Sequence, residues 1–150
     1  GFGLGNGRLT ARGSASWLRS TQQTTAGQPE IGLAGTVFNP ATFNGRVGAV
    51  WTSGGFSASG FANHTSGVTD RLATATRKTA SFTTLDATLS YGTDKRAGAF
   101  SDLTLGLSLQ NLLNREPPLY VPRDANYVPY DATNYSAIGR FVSVSVSKHW

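Results

Sequence analysis

The side chains best suited to contact a ligand are grouped in one tyrosine-rich segment, residues 114–136, which also holds four prolines. Tyrosine rings offer stacking surfaces for sugars or aryl groups, and arginine forms paired hydrogen bonds with carboxylates. We predict that this segment is a loop whose projecting side chains contact a substrate. The alternative, a more common role for such residues, is that they pack the loop against neighbouring loops. The predicted contact residues are Arg115, Tyr120, Arg123, Tyr127 and Tyr130.

Residues suited to catalysis or metal binding do not form a recognisable site. The chain has no Cys, which excludes disulfides and thiolate metal ligands. His64 and His149 stand without neighbouring carboxylates, and we predict neither a metal site nor a cofactor. No nucleophile elbow or catalytically spaced carboxylate pair is present, so we do not expect an enzyme. Asp131 could pair with Arg140 or, as we favour, organise the loop that contains it.

The composition fits a membrane β-barrel and is sparse in charge for a soluble domain. Only 14% of residues are charged, against about a quarter in typical soluble domains. No apolar run approaches the roughly 20 residues of a membrane helix. The net charge of +5 does not predict nucleic-acid binding, because the basic residues are scattered. Most of them fall in predicted turns: Arg71, Arg77, Lys78, Lys95, Arg96, Arg115 and Arg123.

The elements that must position these residues are strands, since apolar and polar residues alternate with a period of two. In the run at residues 102–113, for example, leucines at every second position oppose Thr, Gly, Ser and Gln. Gly54-Gly55 interrupts the longest run and predicts a bulge or bend. The glycines at positions 3, 5 and 7 lack the Lys-Ser/Thr of a phosphate loop and are expected to end a preceding strand and its turn. The predicted strands are residues 9–20, 31–38, 45–63, 82–92, 102–113 and 138–150.

The connections alternate between short and long. Short breaks are predicted at residues 39–44 and 93–98, and longer ones at 21–30, 64–78 and 114–136. Short turns at one end and long loops at the other are typical of outer-membrane barrels. The pattern therefore places the long loops together and the last strand's end on the short-turn side, which is periplasmic in such barrels.

We predict an all-β fold, an antiparallel transmembrane β-barrel represented by about six strands. One face of the strands is small and polar, as a lumen-facing surface would be. The other face carries aromatic residues near strand ends, as expected of an interfacial girdle. The alternative is a soluble β-sandwich, whose strands would also alternate. The girdle residues predicted here are Trp17, Trp51, Phe61, Tyr91 and Trp150.

The last predicted strand resembles the C-terminal signal of outer-membrane barrels, an alternating strand that ends on an aromatic residue. A barrel must close through its last strand, since no strand edge can remain unpaired in lipid. An exposed alternating strand can also be recognised by edge pairing, here by the barrel-assembly machinery. The residues assigned to this role are Gly139, Arg140, Phe141, Val142, Val144, Val146 and Trp150.

From about residue 32 onward the chain resembles TonB-dependent receptors of the bacterial outer membrane. The resemblance depends on the order and spacing of several short segments, each of which is weak when taken singly. They are Gly35-Thr36-Val37-Phe38-Asn39-Pro40 with Trp51, then Asp86 to Tyr91, Asn111-Leu112-Leu113-Asn114 with Pro117-Pro118, and Tyr130-Asp131 with Asn134 and Gly139-Arg140.

The resemblance implies a roughly 22-stranded barrel closed by an N-terminal plug. Such a receptor imports a scarce, bulky nutrient: a ferric siderophore, cobalamin or an oligosaccharide. Its partners would be membrane lipid, the remaining strands and plug, and the TonB complex. Residues 1–150 are accordingly expected to be a C-terminal barrel portion without the plug, an expectation that the lack of Met supports. The alternative is a passive porin or another structural barrel.

Overall fold

Long strands dominate the chain, because β-branched and aromatic residues at alternate positions favour a half-exposed, extended backbone. The computed structural model describes residues 2–71, 75–93, 98–122, 124 and 126–149. These residues form eleven strands and one 3-10 helix, η1 (Gly98–Phe100). The strands are β1 (Phe2–Leu4), β2 (Gly7–Trp17), β3 (Thr21–Gln22), β4 (Ile31–Gly32), β5 (Phe43–Ser53), β6 (Phe56–Thr65), β7 (Thr69–Asp70), β8 (Arg77–Lys78), β9 (Phe82–Gly92), β10 (Leu103–Gln110) and β11 (Phe141–Lys148).

Seven strands form one antiparallel sheet in the order β1-β2-β5-β6-β9-β10-β11. Apart from the short loop strands, each strand pairs with its neighbours in the chain, which is an up-and-down topology. The prediction of an all-β antiparallel fold is confirmed. Among the described residues, β1 pairs only with β2 and β11 only with β10, so the sheet is open and does not close into a barrel.

The single predicted strand at residues 45–63 is wrong, because it is a hairpin. β5 and β6 are joined by Gly54-Gly55, whose φ angles are 53° and 86°, and Ser53 lies opposite Phe56. Two consecutive positive φ angles are what a tight hairpin turn needs, and glycine adopts them without strain. The hairpin, together with β1, raises the number of strands in the large sheet to seven.

The predicted alternation of short and long connections is confirmed, although one position was wrong. Residues 5–6, 54–55 and 93–102 connect strands at one end of the sheet, and β11 ends on that side opposite Leu103. Residues 18–42, 66–81 and 111–140 connect strands at the other end; we call them the first, second and third long loops. The short break predicted at residues 39–44 lies largely within the first long loop.

The predictions for residues 31–38 and 64–78 differ from the structure, because a small hairpin lies in each of two long loops. The run at residues 31–38 does not form one strand. Ile31–Gly32 pairs with Thr21–Gln22, the chain then turns, and Thr36 forms a single parallel β-bridge with Thr69. Gly35 and Phe38 both have positive φ, which ends any extended run there. The loop predicted at residues 64–78 includes the end of β6 and the β7–β8 hairpin.

The two faces of the large sheet differ sharply in chemistry. We call the apolar face the one that carries the row Leu9, Trp51, Ala58, Leu89, Leu107 and Val144. We call the polar face the one that carries the row Arg8, Thr52, Ser57, Ser90, Gly106 and Ser145.

The hydrophobic core does not lie on the large sheet. The buried hydrophobic residues that the structure describes are Val37, Ala41, Val68 and Tyr135, all in the long loops. By contrast, Trp17 and Val144 on the apolar face are 71% and 74% exposed. A β-sandwich would bury such a face against a second sheet, and the described residues include one large sheet only.

Candidate functional site

The three long loops pack together into one unit, which we call the loop cap. Its centre is formed by Val37 of the first loop, Val68 of the second and Tyr135 of the third. Phe82, at the start of β9, packs against this cluster with its ring 5.7 Å from that of Tyr135. Burial of these apolar side chains orders connections that would otherwise be exposed loops.

The carboxylate of Asp131, with no exposed surface, joins the first and third loops. Its Oδ2 accepts hydrogen bonds from the Phe38 backbone N–H, at 3.1 Å, and from Asn134 Nδ2, at 2.8 Å. Its Oδ1 accepts one from the Thr133 N–H at 3.0 Å. A buried carboxylate requires such partners. Asp131 therefore organises the loop, as favoured from the sequence.

Asn134 completes the junction. Its Oδ1 accepts a hydrogen bond from the Ala41 N–H, and its Nδ2 donates to the Asn39 carbonyl, both at 2.8 Å. The Asn-Pro segment of the first loop and the Tyr-Asp segment of the third carried part of the family resemblance, and here they contact each other. Their roles in the structure are architectural.

Two tyrosines in the cap have perturbed acidity. The Tyr135 hydroxyl donates to the Ser66 carbonyl at 2.9 Å. Burial raises the pKa of the Tyr135 phenol, Asp131 acts in the same direction, and the Thr79 hydrogen bond opposes both. Burial also raises the pKa of Tyr120, with further contributions from Asp70 and Asp131. Both phenols are therefore protonated at neutral pH.

The four predicted ligand-contact residues that the structure describes do not converge on one site. Tyr120 is half-buried, and its ring lies edge-on to Phe38 at 6.1 Å, so it packs the cap. Tyr130 is half-buried and forms a β-bridge with Leu119. Tyr127, 59% exposed, and Arg115 remain accessible. Arg123 lies outside the described residues.

Backbone geometry accounts for the two asparagines of the Asn-Leu-Leu-Asn segment. Asn111 and Asn114 have φ of 49° and 51°, a conformation that Asn tolerates better than most residues. The Asn111 side chain accepts from the Arg115 N–H and donates to its carbonyl, each at 2.8 Å. The Asn114 Oδ1 accepts from the Arg140 N–H at 2.8 Å, so the chain is fixed as it leaves β10 and re-enters at β11.

A charged cluster on the polar face was missed from the sequence. Arg46 pairs with Asp86 at 3.4 Å and hydrogen-bonds Asn63, which in turn donates to Asp86 at 2.7 Å. The Arg46 guanidinium also lies 4.2 Å from the centre of the Phe61 ring. Phe61 is therefore on the polar face, and its assignment to a lipid-facing girdle was wrong. Recognising Gly54-Gly55 as a hairpin turn would have placed these residues together.

A cavity of about 200 Å³ lies on the polar face where the third long loop returns to β11. Phe82 and Phe141 contribute aromatic walls, and Asp86 and Gln110 contribute polar groups. Phe141 is 48% exposed. Within the described part of the chain, the Phe141 ring contacts no other aromatic ring. The Gln110 amide likewise makes no hydrogen bond to a described residue. The rest of the lining is Thr84, Asn111, Ser136, Ile138 and Gly139.

The residues assigned to the last strand divide between the two faces. Val142, Val144 and Val146 are exposed on the apolar face, whereas Phe141 faces the cavity. Gly139 passes so close to Asn114 Oδ1 that a side chain would collide with it, at 2.6 Å from a Cβ. Arg140 is anchored through its backbone. Trp150 lies outside the described residues.

The described residues offer no metal centre: no group of three or more His, Asp or Glu is placed to hold an ion. The His64 Nδ1 lies 2.8 Å from the Thr83 hydroxyl. Among the described residues, no helix has the length and hydropathy to cross a bilayer. No protein-family model, curated protein or solved structure matches this chain.

Proposed function

We propose that this chain is the C-terminal portion of a bacterial outer-membrane receptor that actively imports a bulky nutrient. The observation that carries the proposal is the exposed apolar face, since seven paired strands present valine, leucine and aromatic side chains that no other described element covers. Lipid is the solvent in which such a face is stable.

The dimensions of the sheet agree with this proposal. Globular strands are usually about 5–6 residues long. β2, β5 and β9 each have 11 residues and β6 has 10. A tilted strand needs about 9–11 residues to cross the hydrocarbon layer. β10 and β11, with 8 residues each, are slightly shorter.

The aromatic residues that face outward lie near both ends of the strands. Trp17 and Phe43, with ring centres 6.1 Å apart, lie beside the long loops. Phe56 and Tyr91, 4.5 Å apart, lie beside the short turns. Two such bands correspond to the two interfaces of a bilayer.

Active transport, as distinct from passive diffusion, is supported by the family resemblance and by the loop cap. The segments that resemble TonB-dependent receptors meet in space, through Asp131 and Asn134 on one side and Phe38 and Asn39 on the other. The long loops consequently form an ordered surface at one end of the sheet. By the same resemblance, the plug, the TonB complex and the barrel-assembly machinery are the proposed partners.

Quenching of tryptophan fluorescence by brominated lipids tests the membrane placement. In a variant that keeps Trp17 alone, with Phe at positions 51 and 150, bromine near the headgroup end of the acyl chain should quench strongly. The matched control is Ser16→Trp in a background with Phe at all three tryptophan positions, because residue 16 faces the polar side. Equal quenching of both probes would contradict the lipid-facing assignment.

Conductance separates the receptor from a porin. The full-length protein in a planar bilayer should show no steady open-channel current if a plug closes it. Stable conductance steps would instead favour the passive porin and count against active import.

A further inference from the structure

The cavity beneath the third long loop has the composition of a carbohydrate subsite. We infer that it binds a single neutral, hydroxyl-rich ring of pyranose size, either free or at the end of a larger ligand. The inference rests on the proposed function, because that function places the polar face in a barrel lumen that a substrate can enter.

Phe141 is the first indication. The neighbouring polar-face positions of β11 are serine, Ser143 and Ser145, and yet this position holds an aromatic ring that is 48% exposed and makes no ring contact with the other described residues. About half of the Phe141 side chain is therefore open to solvent. It offers a stacking surface for the C–H face of a sugar.

Gln110 is the second indication, because it lies directly opposite Phe141 in the β10–β11 pairing. Gln110 lines the cavity and is exposed, and its amide makes no hydrogen bond to a described residue. An amide offers two donors and a carbonyl acceptor, a set that matches adjacent hydroxyl groups. An aromatic ring beside an unengaged amide is thus available to one ring-shaped ligand.

The charge of the cavity favours a neutral ligand. Asp86 is its acidic group, and its Oδ2 is engaged by Arg46 and Asn63 while its Oδ1 accepts from the Asn111 N–H at 3.1 Å. Because the ion pair balances the carboxylate, the site attracts neither a free cation nor an anion strongly. The Thr84 hydroxyl accepts a hydrogen bond from Asn63 Nδ2 at 3.3 Å. Its own O–H and the remaining lone pairs of Asp86 are available to ligand hydroxyls.

The size limits the ligand to one ring. The cavity volume is about 200 Å³, below the roughly 300–1,000 Å³ of pockets that bury a drug-sized molecule. A whole siderophore or cobalamin would not fit, whereas a terminal sugar would. Ser136 and Ile138 of the returning loop form the roof, and Phe82 connects the floor to the loop cap.

Binding is tested on the full-length protein in detergent by saturation-transfer NMR with methyl α-D-glucopyranoside. Cyclohexanol, which has the ring without its set of hydroxyls, is the comparison probe. The glucoside should bind, and cyclohexanol should bind at least about tenfold more weakly, because the unengaged polar groups then lose their partners. Equal binding of both probes, or none of the glucoside, would overturn the inference.

Two substitutions test the assigned contacts. Phe141→Leu keeps an apolar side chain but removes the stacking face, and Gln110→Ala removes the amide; each should weaken glucoside binding by roughly three- to tenfold. Gln22→Ala, in an exposed β3 position of the first long loop, is the matched control and should bind as the parent does. Parent-like affinity in both cavity variants, with unchanged circular dichroism, would place the ligand elsewhere.

The outcomes also separate this inference from the proposed function. Lipid quenching of Trp17 without glucoside binding would reject the sugar subsite and leave the membrane receptor standing. Glucoside binding that depends on Phe141 and Gln110, but without lipid quenching, would retain the subsite and reject the membrane placement.

Discussion

Replacing Asp131 by Asn should loosen the loop cap without unfolding the large sheet. The carboxylate accepts three hydrogen bonds with no exposed surface. With its oxygen in the place of Oδ2, the asparagine amide keeps the bonds from Phe38 and Asn134. Its –NH₂ group then faces the Thr133 N–H, so that one charge-assisted bond is lost and two donors oppose each other.

The expected cost follows from that single contact. A hydrogen bond to a charged group contributes about 1.5–3 kcal/mol, so we expect the cap to lose about 2 kcal/mol. Since about 1.4 kcal/mol corresponds to a factor of ten, cap opening becomes roughly thirtyfold more frequent. Asp131→Ala loses all three bonds and should cost about 4 kcal/mol or more.

Hydrogen–deuterium exchange measures this effect locally. The Phe38 and Ala41 amides, which are bonded to Asp131 and Asn134, should exchange faster, whereas amides paired between β9 and β10 should not change. Asp124→Asn is the matched control, because Asp124 is exposed in the same loop and its carboxylate bonds, among the described residues, to the neighbouring Asn126. The reasoning is refuted if the Phe38 and Ala41 amides keep their protection, or if the β9–β10 amides lose theirs equally.

Three further predictions concern the sheet and the cap. Val144→Arg places a charge at the middle of β11 on the apolar face. In a denaturant titration of the protein in lipid vesicles, it should lower the free energy of unfolding by about 2–4 kcal/mol. Ser145→Arg, on the polar face, should lower it much less. Gly48→Ala should destabilise the protein by roughly 1–3 kcal/mol, seen as a lower unfolding temperature, because a Cβ there would overlap the Gly60 carbonyl and the Phe61 ring. Gly60→Ala is the control, because a Cβ at that position meets nothing within 4 Å. A folded-state pKa raised above 10.0 means that the protonated Tyr135 phenol stabilises the cap. This contribution is complete below pH 10 and is lost as the pH rises through the raised value. Hydrogen exchange at the Ala41 amide should accelerate over that range by more than its intrinsic pH dependence, and the extra acceleration should be smaller in Tyr135→Phe.

Much of the sheet could be predicted from the sequence because its signal is local. Alternation at residues 82–92 gave β9 with the bounds that the structure shows, and alternation needs no knowledge of distant partners. The hairpin at Gly54-Gly55 was missed although its signal was present, since the alternating pattern continues on both sides of the turn. The contacts of the site could not be predicted in this way. Arg46 and Asp86 are 40 residues apart and meet only through the pairing of three strands.

Ligand binding in the cavity should depend on the fraction of molecules in which the loop cap is closed, and this dependence can be tested. Tyr135 holds the cap and directly precedes Ser136 in the cavity roof. If the roof is competent for binding only when the cap is closed, ligand affinity falls in proportion to the closed fraction. A cap with several kcal/mol of stability remains almost wholly closed after the loss of about 2 kcal/mol, so Asp131→Asn should accelerate amide exchange while leaving glucoside affinity nearly unchanged. Asp131→Ala should accelerate amide exchange further and also reduce glucoside affinity, because it removes most of the closing free energy. If Asp131→Asn already weakened glucoside binding as much as it accelerated amide exchange, the open and closed states of the cap would be nearly equally populated in the parent protein. The roof would then act as a gate on the cavity.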